Sequence, residues 1–184
     1  MIQTDDDLVR DSLRGVRQSF RKLFDRYAQM VFRHSWAMTR NSQDAEDILQ
    51  EVFLQAFVKL YQYRGPGTFH KWIRCISRNQ TLNFLKKKGV KTFSYDFQDE
   101  NDIRTPASTG ENPTSLETTE NLSHLLGVLS PGVREILLLR LVENLPYPEI
   151  ADLTGLREDN IRQIVSRGLT QLKKEQTSDA LSKV

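Results

Sequence analysis

Apolar positions recur along this chain at three- and four-residue steps, the period of an amphipathic α-helix. Phe20, Leu23, Phe24, Tyr27, Met30, Val31 and His34 mark one such stripe and predict a helix from Val16 to about Met38. A shorter one is expected over Asp5–Gly15, with the acids at its start and Gly15 as its stop. Ala45, Ile48, Leu49, Val52, Phe53, Ala56, Phe57 and Leu60 form the stripe of a third helix, about Gln43–Leu60, for which Ser42 is the expected N-cap. Tyr63-Arg64-Gly65-Pro66-Gly67-Thr68 must be a loop; Thr68 then caps a helix from Phe69 to about Lys87, ended by Gly89. After a polar stretch the helical pattern resumes. Leu122–Leu129 is one helix, and Pro131 opens another behind Ser130 as N-cap. Short helices follow at about Tyr147–Thr154 and Glu158–Lys174. No useful strand-period segment and no internal repeat appears, so the fold class is all-α.

Charge divides this pattern into parts. Residues 1–95 hold 17 Lys/Arg and 9 Asp/Glu, residues 96–130 hold 1 and 7, and residues 131–184 hold 8 and 8. No acid lies between Val52 and Tyr95, a stretch with nine cations, which suits a polyanion-binding surface. Residues 96–121 are acidic, rich in Ser/Thr and contain two prolines, the composition of a flexible linker. Two small helical domains are therefore expected, 1–95 and 122–184, the second a helix-turn-helix. The single Cys75 excludes a disulfide framework and a cysteine zinc site, and His34, His70 and His124 lack ligand spacing; no metal or cofactor is expected. The acidic start MIQTDDDLVRD is not a secretory leader and no apolar run suits membrane insertion, so a cytoplasmic protein is expected.

The best local signal is YPEIADLTGLREDNIRQIVSRGLTQLKK, residues 147–174. Gly155 stands where a helix-turn-helix needs positive φ, and Ala151 is small enough for a second helix to cross closely. Ile161, Ile164, Val165, Gly168, Leu169 and Leu172 can face inward. That leaves Asn160, Arg162, Gln163, Ser166, Arg167 and Gln171 outside, types that reach base edges and phosphates in a major groove. The plainer alternative is a helical bundle with a solvated face.

Two constellations lie in the first domain. Asp44, Asp47 and Glu51 share one helix face. A solvated face, a carboxylate metal site without the Glu-x-x-His partner, and a docking surface for a basic partner all fit them. The segment FHKWIRCISRNQTLNFLKKK mixes aromatic, cationic and amide residues, which suits unstacked bases, although Trp72 reads more readily as core.

In that order and with that gap, the three segments resemble a bacterial RNA polymerase sigma factor of the extracytoplasmic-function group, within the sigma-70 family. DAEDILQEVFLQAF resembles the helix that binds the β′ clamp, which implies Asp44, Glu46, Asp47, Gln50 and Glu51 as polymerase contacts. YRGPGTFHKWIRCISRNQTLNFLKKK resembles the segment that melts and reads the −10 element. Arg64, Gly65, Thr68 and Phe69 match its base-capturing loop, and Trp72, Asn79 and Asn83 the helix beside it. Arg74, Arg78, Lys86 and Lys87 join this set as the segment's cations. The C-terminal motif resembles the −35 reader, with Arg140, Asn160, Arg162, Gln163, Ser166 and Arg167 toward DNA. The resemblance implies a promoter-specificity subunit without catalysis, acting in a stress or envelope response. Its partners would be core polymerase (β′ clamp helices and β flap), duplex −35 and melted −10 DNA, and an anti-sigma factor.

The chain departs from the family in places. NIRQIVSRGLTQL carries fewer cations than the usual recognition helix, which lowers the expected −35 affinity. Gly168 is expected to weaken that helix by about 0.5–1 kcal/mol against Ala. Pro146-Tyr147-Pro148 replaces the usual Ser/Thr cap. A stand-alone helix-turn-helix regulator would explain only the C-terminal third. A metal-dependent nucleic-acid enzyme would need Asp44, Asp47 and Glu51 as ligands and a further ligand-bearing element.

Overall fold

The computed structural model describes residues 3–65, 68–90, 95 and 126–181, and divides the chain into two compact units at Gly89/Val90. The expected linker at 96–121, and residues 122–125 of the expected helix after it, lie outside the described residues.

The first unit contains α1 (Asp5–Leu13), α2 (Arg17–Thr39), α3 (Ser42–Lys59), a 3-10 turn (Leu60–Gln62) and α4 (Phe69–Lys87). Thr4 opens α1 with a reciprocal box: its hydroxyl accepts from the Asp7 N–H and its own N–H donates to the Asp7 carboxylate, each at 3.2 Å. The cap of α3 is Asn41, not Ser42. Asn41 has the extended backbone a cap requires, and its side chain accepts from the Asp44 N–H at 2.9 Å; Ser42 is already inside the helix. Thr68 is the N-cap residue of α4 but makes no side-chain cap bond: its backbone (φ −115°, ψ 14°) is not extended, and its hydroxyl turns back to donate to the Gly65 carbonyl at 2.6 Å.

The core of this unit runs through Leu8, Leu23, Val31, Ile48, Val52, Phe53, Ala56, Leu60, Phe69 and Ile73. Phe20 and Phe24 meet Phe53, and Tyr27, Tyr63 and Trp72 surround Phe69. Between α2 and α4 the seam is small and polar: Ser35, Ser77 and Thr81 are buried, with the Ser35 and Thr81 hydroxyls 3.4 Å apart. One expected core residue, Phe57, is 57 % exposed, although its ring meets Phe20 edge-on.

The second unit contains α5 (Pro131–Leu137), which runs into a π-helical turn (Leu138–Val142), then α6 (Tyr147–Thr154) and α7 (Glu158–Leu181). Ser130 caps α5, as its position before Pro131 predicts. Gly155 adopts φ 76°, so the turn between α6 and α7 uses the left-handed backbone expected of it. Leu126, Leu129, Val133, Ile136, Leu139, Leu145, Ile150, Ile161, Ile164 and Val165 are buried. Arg134, 2 % exposed, donates to the Leu126 and Leu129 carbonyls at 2.8 and 3.0 Å and so satisfies the chain entering α5. The Tyr95 hydroxyl donates to buried Glu135 at 3.1 Å, which attaches Tyr95 to this unit.

Gly168 has a packing role that its helix propensity conceals. A Cβ there would lie 2.8 Å from Leu137 Cδ1 and 3.2 Å from Val133 Cγ1. The missing side chain lets α7 approach α5, so Gly168 is not the plain weakness its sequence position suggests.

Candidate docking and nucleic-acid surfaces

On α3, Glu46, Asp47, Gln50 and Glu51 are exposed, and Gln55 donates to Glu51 at 3.3 Å. Asp44 differs. Lys88, just beyond the end of α4, places its Nζ 2.7 and 2.8 Å from the two Asp44 carboxylate oxygens, and the Asp44 side chain is only 16 % exposed. Asp44 therefore lies on the same helical face as Glu51 but is largely covered by the Lys88 side chain, in an ion pair at the surface of the unit. The partners are 44 residues apart, so helix periodicity alone gives no sign of the pair.

The exposed face of α3 continues past Glu51 as Leu54, Phe57, Val58 and Tyr61, each between 57 and 60 % exposed. A 100° step per residue puts Asp47, Glu51, Leu54 and Val58 within about 60° of one another, and exposed Tyr61 follows in the 3-10 turn. The sequence signal for this extension was available: large apolar residues continue the heptad-like spacing of the acids.

The −10 candidates fall into three groups. Arg64, Asn79, Asn83, Lys86 and Lys87 are exposed. Gly65 and Thr68 shape the loop; a Cβ on Gly65 would lie 2.2 Å from the Thr68 Oγ1, so the hydroxyl sits where a side chain would be. Phe69 is not presented to solvent at all. It is 0 % exposed, with its ring centre 5.3, 5.5 and 5.7 Å from those of Tyr27, Trp72 and Tyr63. Phe69, which the motif groups with the base-capturing loop, therefore packs into the core in this structure and leaves Arg64, Gly65 and Thr68 as the loop's accessible part. Trp72 is half-buried on the same core. On α4, Trp72, Asn79, Asn83 and Lys86 lie within about 60° of one another, whereas Arg74 and Arg78 point at least about 100° away from Asn79 or Trp72. Arg74 is half-buried, with its guanidinium 3.9 Å from the Met30 sulfur.

The loop is tied to its neighbours through two phenols. Tyr63 donates to Asp6 Oδ1 at 3.0 Å and accepts from the Thr68 N–H at 3.3 Å. Burial pushes the Tyr63 phenol above its ordinary pKa; the bond to Asp6 adds to this and the contact from Thr68 opposes it. Burial, then its bond to Asp5, likewise raises Tyr27. Both phenols therefore keep their protons and remain donors at neutral pH.

In the helix-turn-helix, Arg162, Gln163, Ser166 and Arg167 are exposed on α7, and Asn160 and Arg140 are half-buried. A residue that the sequence reading did not place in the site organises two of them. The ring of Tyr147, at the start of α6, lies under both Arg140 and Arg162, whose guanidinium carbons are 4.9 and 4.6 Å from its centre. Arg162 also meets Glu158 at 3.0 Å, and Arg140 donates to the Leu145 carbonyl at 3.1 Å. An aromatic residue flanked by prolines at a helix start was visible in the sequence; its two distant cations were not.

Among the described residues, no group of three or more His, Cys, Asp or Glu could hold a metal ion. Nor is any helix among them long and apolar enough to cross a membrane.

Family models for sigma-70 region 2 and sigma-70 region 4 match residues 23–90 and 119–172. The RNA polymerase sigma factor CarQ of Myxococcus xanthus is 30 % identical over 161 residues, 86 % of this chain and 90 % of its own length. The extracytoplasmic-function sigma factor SigE of Mycolicibacterium smegmatis is 30 % identical over 84 % of this chain, which spans 60 % of that longer relative. SigM of Bacillus subtilis, of the same group, is 27 % identical and covered over 91 % of its length. The fold resembles that of CnrH, solved with the cytosolic domain of CnrY, at a TM-score of 0.69 and 18 % identity over 95 % of this chain and 98 % of that one. It equally resembles RpoE of Bartonella quintana, solved with the anti-sigma factor NepR, at 0.69 and 20 % over 85 % and 96 %. The chain belongs to the sigma-70 family of RNA polymerase sigma factors.

Proposed function

We infer that this chain is a promoter-specificity subunit that binds core RNA polymerase and directs initiation at −35 and −10 elements. The observation that carries the reading is the match to both sigma regions in order. The first unit would dock on the β′ clamp through Glu46, Asp47, Gln50 and Glu51, all exposed on α3. It would read melted −10 DNA with Arg64, the Gly65–Thr68 loop, and the α4 face bearing Trp72, Asn79, Asn83 and Lys86. Lys87, Arg74 and Arg78 would add positive charge around that face. The second unit would meet the β flap and place Arg140, Asn160, Arg162, Gln163, Ser166 and Arg167 toward −35 duplex. Residues 96–121 would link the two. The subunit would do no chemistry of its own.

We place it in the cytoplasm, in a stress or envelope response. An anti-sigma partner fits this reading, because RpoE of Bartonella quintana has one. A stand-alone helix-turn-helix regulator is the weaker alternative, since it assigns no role to the region 2 match over 23–90.

Run-off transcription with core polymerase on a promoter library tests the function. Transcripts should start from a subset sharing two spaced elements. Reversing Asp47 and Glu51 to Lys should abolish holoenzyme formation on gel filtration while leaving helix content unchanged. Normal assembly of that variant would rule out the clamp-docking assignment.

A further inference from the structure

α1 lies outside the residues matched by the region 2 model, which begin at 23. Its apolar side is anchored in the core through Leu8 and Val9. Its first turn carries Asp5, Asp6 and Asp7. Asp7 completes the α1 cap, but the other two acids accept from tyrosines on other elements. Asp5 takes the Tyr27 hydroxyl, and also pairs with Arg26. Asp6 takes the Tyr63 hydroxyl at 3.0 Å.

Those two tyrosines are the ones whose rings pack on Phe69, the first residue of α4. Tyr63 is also the first residue of the loop. Its oxygen accepts from the Thr68 N–H at 3.3 Å, a donor shared with the Gly65 carbonyl at 3.1 Å. The Thr68 hydroxyl turns back to that same carbonyl at 2.6 Å. A continuous chain of hydrogen bonds therefore runs from Asp6 through Tyr63 and Thr68 to Gly65. Phenylalanine at 27 and 63 would fill the same space in the core, so the hydroxyls add direction rather than apolar contact.

We propose that Asp6, acting through the Tyr63 hydroxyl, is a positioning residue for the −10 loop, so that α1 sets the geometry in which residues 63–65 and 68 receive the melted strand. This rests on the reading of the first unit as the −10 reader. Asp6 itself touches no DNA. Its carboxylate fixes the Tyr63 hydroxyl, and the hydroxyl fixes the Thr68 backbone.

The test uses the full chain with core polymerase on a promoter from the run-off library. Asp6→Ala, Asp6→Asn, Tyr63→Phe and the Asp6→Ala/Tyr63→Phe double variant are compared. The readouts are holoenzyme assembly, thermal unfolding of the free chain, and the rate of open-complex formation. Asp6→Ala should slow opening about fivefold, the worth of one lost hydrogen bond. Assembly should be unchanged, and the unfolding midpoint should fall by no more than the loss of that one bond implies. Asp6→Asn, whose amide oxygen still accepts, should restore the rate, and the double variant should be no slower than the slower single one. Arg64→Ala and Thr68→Val serve as loop controls. If they slow opening and Asp6→Ala does not, the proposal fails and the −10 reading stands. If none of the variants slows opening, the −10 reading itself fails and the proposal with it. A loss of unfolding temperature larger than one hydrogen bond implies, no rescue by Asp6→Asn, or multiplying single defects would also overturn the positioning role.

Discussion

The two units hold their aromatic and cationic groups in opposite ways. In the second, exposed Arg162 and half-buried Arg140 both stack on the ring of half-buried Tyr147. In the first, Phe69 is enclosed by Tyr27, Tyr63 and Trp72, while Lys86 and Lys87 stand exposed at the end of α4. Under the proposed function this contrast follows from what each unit must meet. Duplex DNA offers its phosphates and groove edges at all times, so a reader of duplex can hold its cations ready. An unstacked base exists only after melting. A large ring kept exposed until then would be apolar surface open to other contacts. Burial of Phe69 leaves the exposed polar groups and the tethered loop as the first surface a melted strand encounters.

Breaking the enclosed arrangement should have the largest effect. Phe69→Ala removes a fully buried ring, and such a change costs about 3–5 kcal/mol. Both tryptophans, Trp36 and Trp72, lie in the first unit, so tryptophan fluorescence reports that unit alone. Its unfolding midpoint should fall sharply, and polymerase binding should fall with it. A selective defect in opening with an unchanged midpoint would mean that Phe69 is a surface group after all.

Breaking the exposed arrangement should cost less. Tyr147→Leu removes both cation–π contacts, together worth about 1–2 kcal/mol. Binding to −35 duplex should weaken by up to about tenfold in a gel shift, with a smaller change in stability than Phe69→Ala causes. Tyr147→Phe keeps the ring and should bind as the parent does. Equal losses from Leu and Phe would assign the effect to the hydroxyl and remove the stacked-arginine account.

A third substitution tests packing beneath the recognition helix. Helix propensity alone favours Gly168→Ala by about 0.5–1 kcal/mol. The added Cβ would press on Leu137 and Val133, both buried, and overpacking of that kind costs about 1–3 kcal/mol. The net expectation is a loss of about 1 kcal/mol in chemical denaturation followed by circular dichroism. A gain would show that Leu137 can shift at little cost.

These residues also show what could be read from the chain before its structure. The helical stripes, the Ser130 cap and the Gly155 turn depend on neighbours within a few residues, and they were legible. Gly168 was read as a weakness because propensity is local, whereas its packing role depends on α5. Phe57 fitted the apolar stripe by spacing, yet the stripe is wider than the core that α2 offers it. Asn41 displaced Ser42 as the cap through backbone geometry that two adjacent good cappers do not reveal. The candidate site was legible as residue types in order. Its internal partners, Lys88 for Asp44 and Tyr147 for two arginines, were not, because contacts between helices leave no periodic trace.

The smallest expected effect separates the acids of α3 from one another. Asp44, Asp47 and Glu51 share one face by helical spacing, but of the three only Asp44 has Lys88 against it, and the Lys88 side chain is 55 % exposed. An ion pair so open to water is worth about 0.2–1 kcal/mol and weakens with salt. Asp44→Asn should therefore lower stability only slightly, and the loss should vanish in high salt. Holoenzyme assembly should stay near that of the parent, in contrast to the double reversal of Asp47 and Glu51. Lys88→Ala should reproduce the same small, salt-dependent loss. The double variant Asp44→Asn/Lys88→Ala should lose no more than either single one, since one pair is removed in every case. If Asp44→Asn instead impairs assembly as strongly as the reversals do, the Lys88 pair must open on docking, and Asp44 returns to the polymerase-binding set.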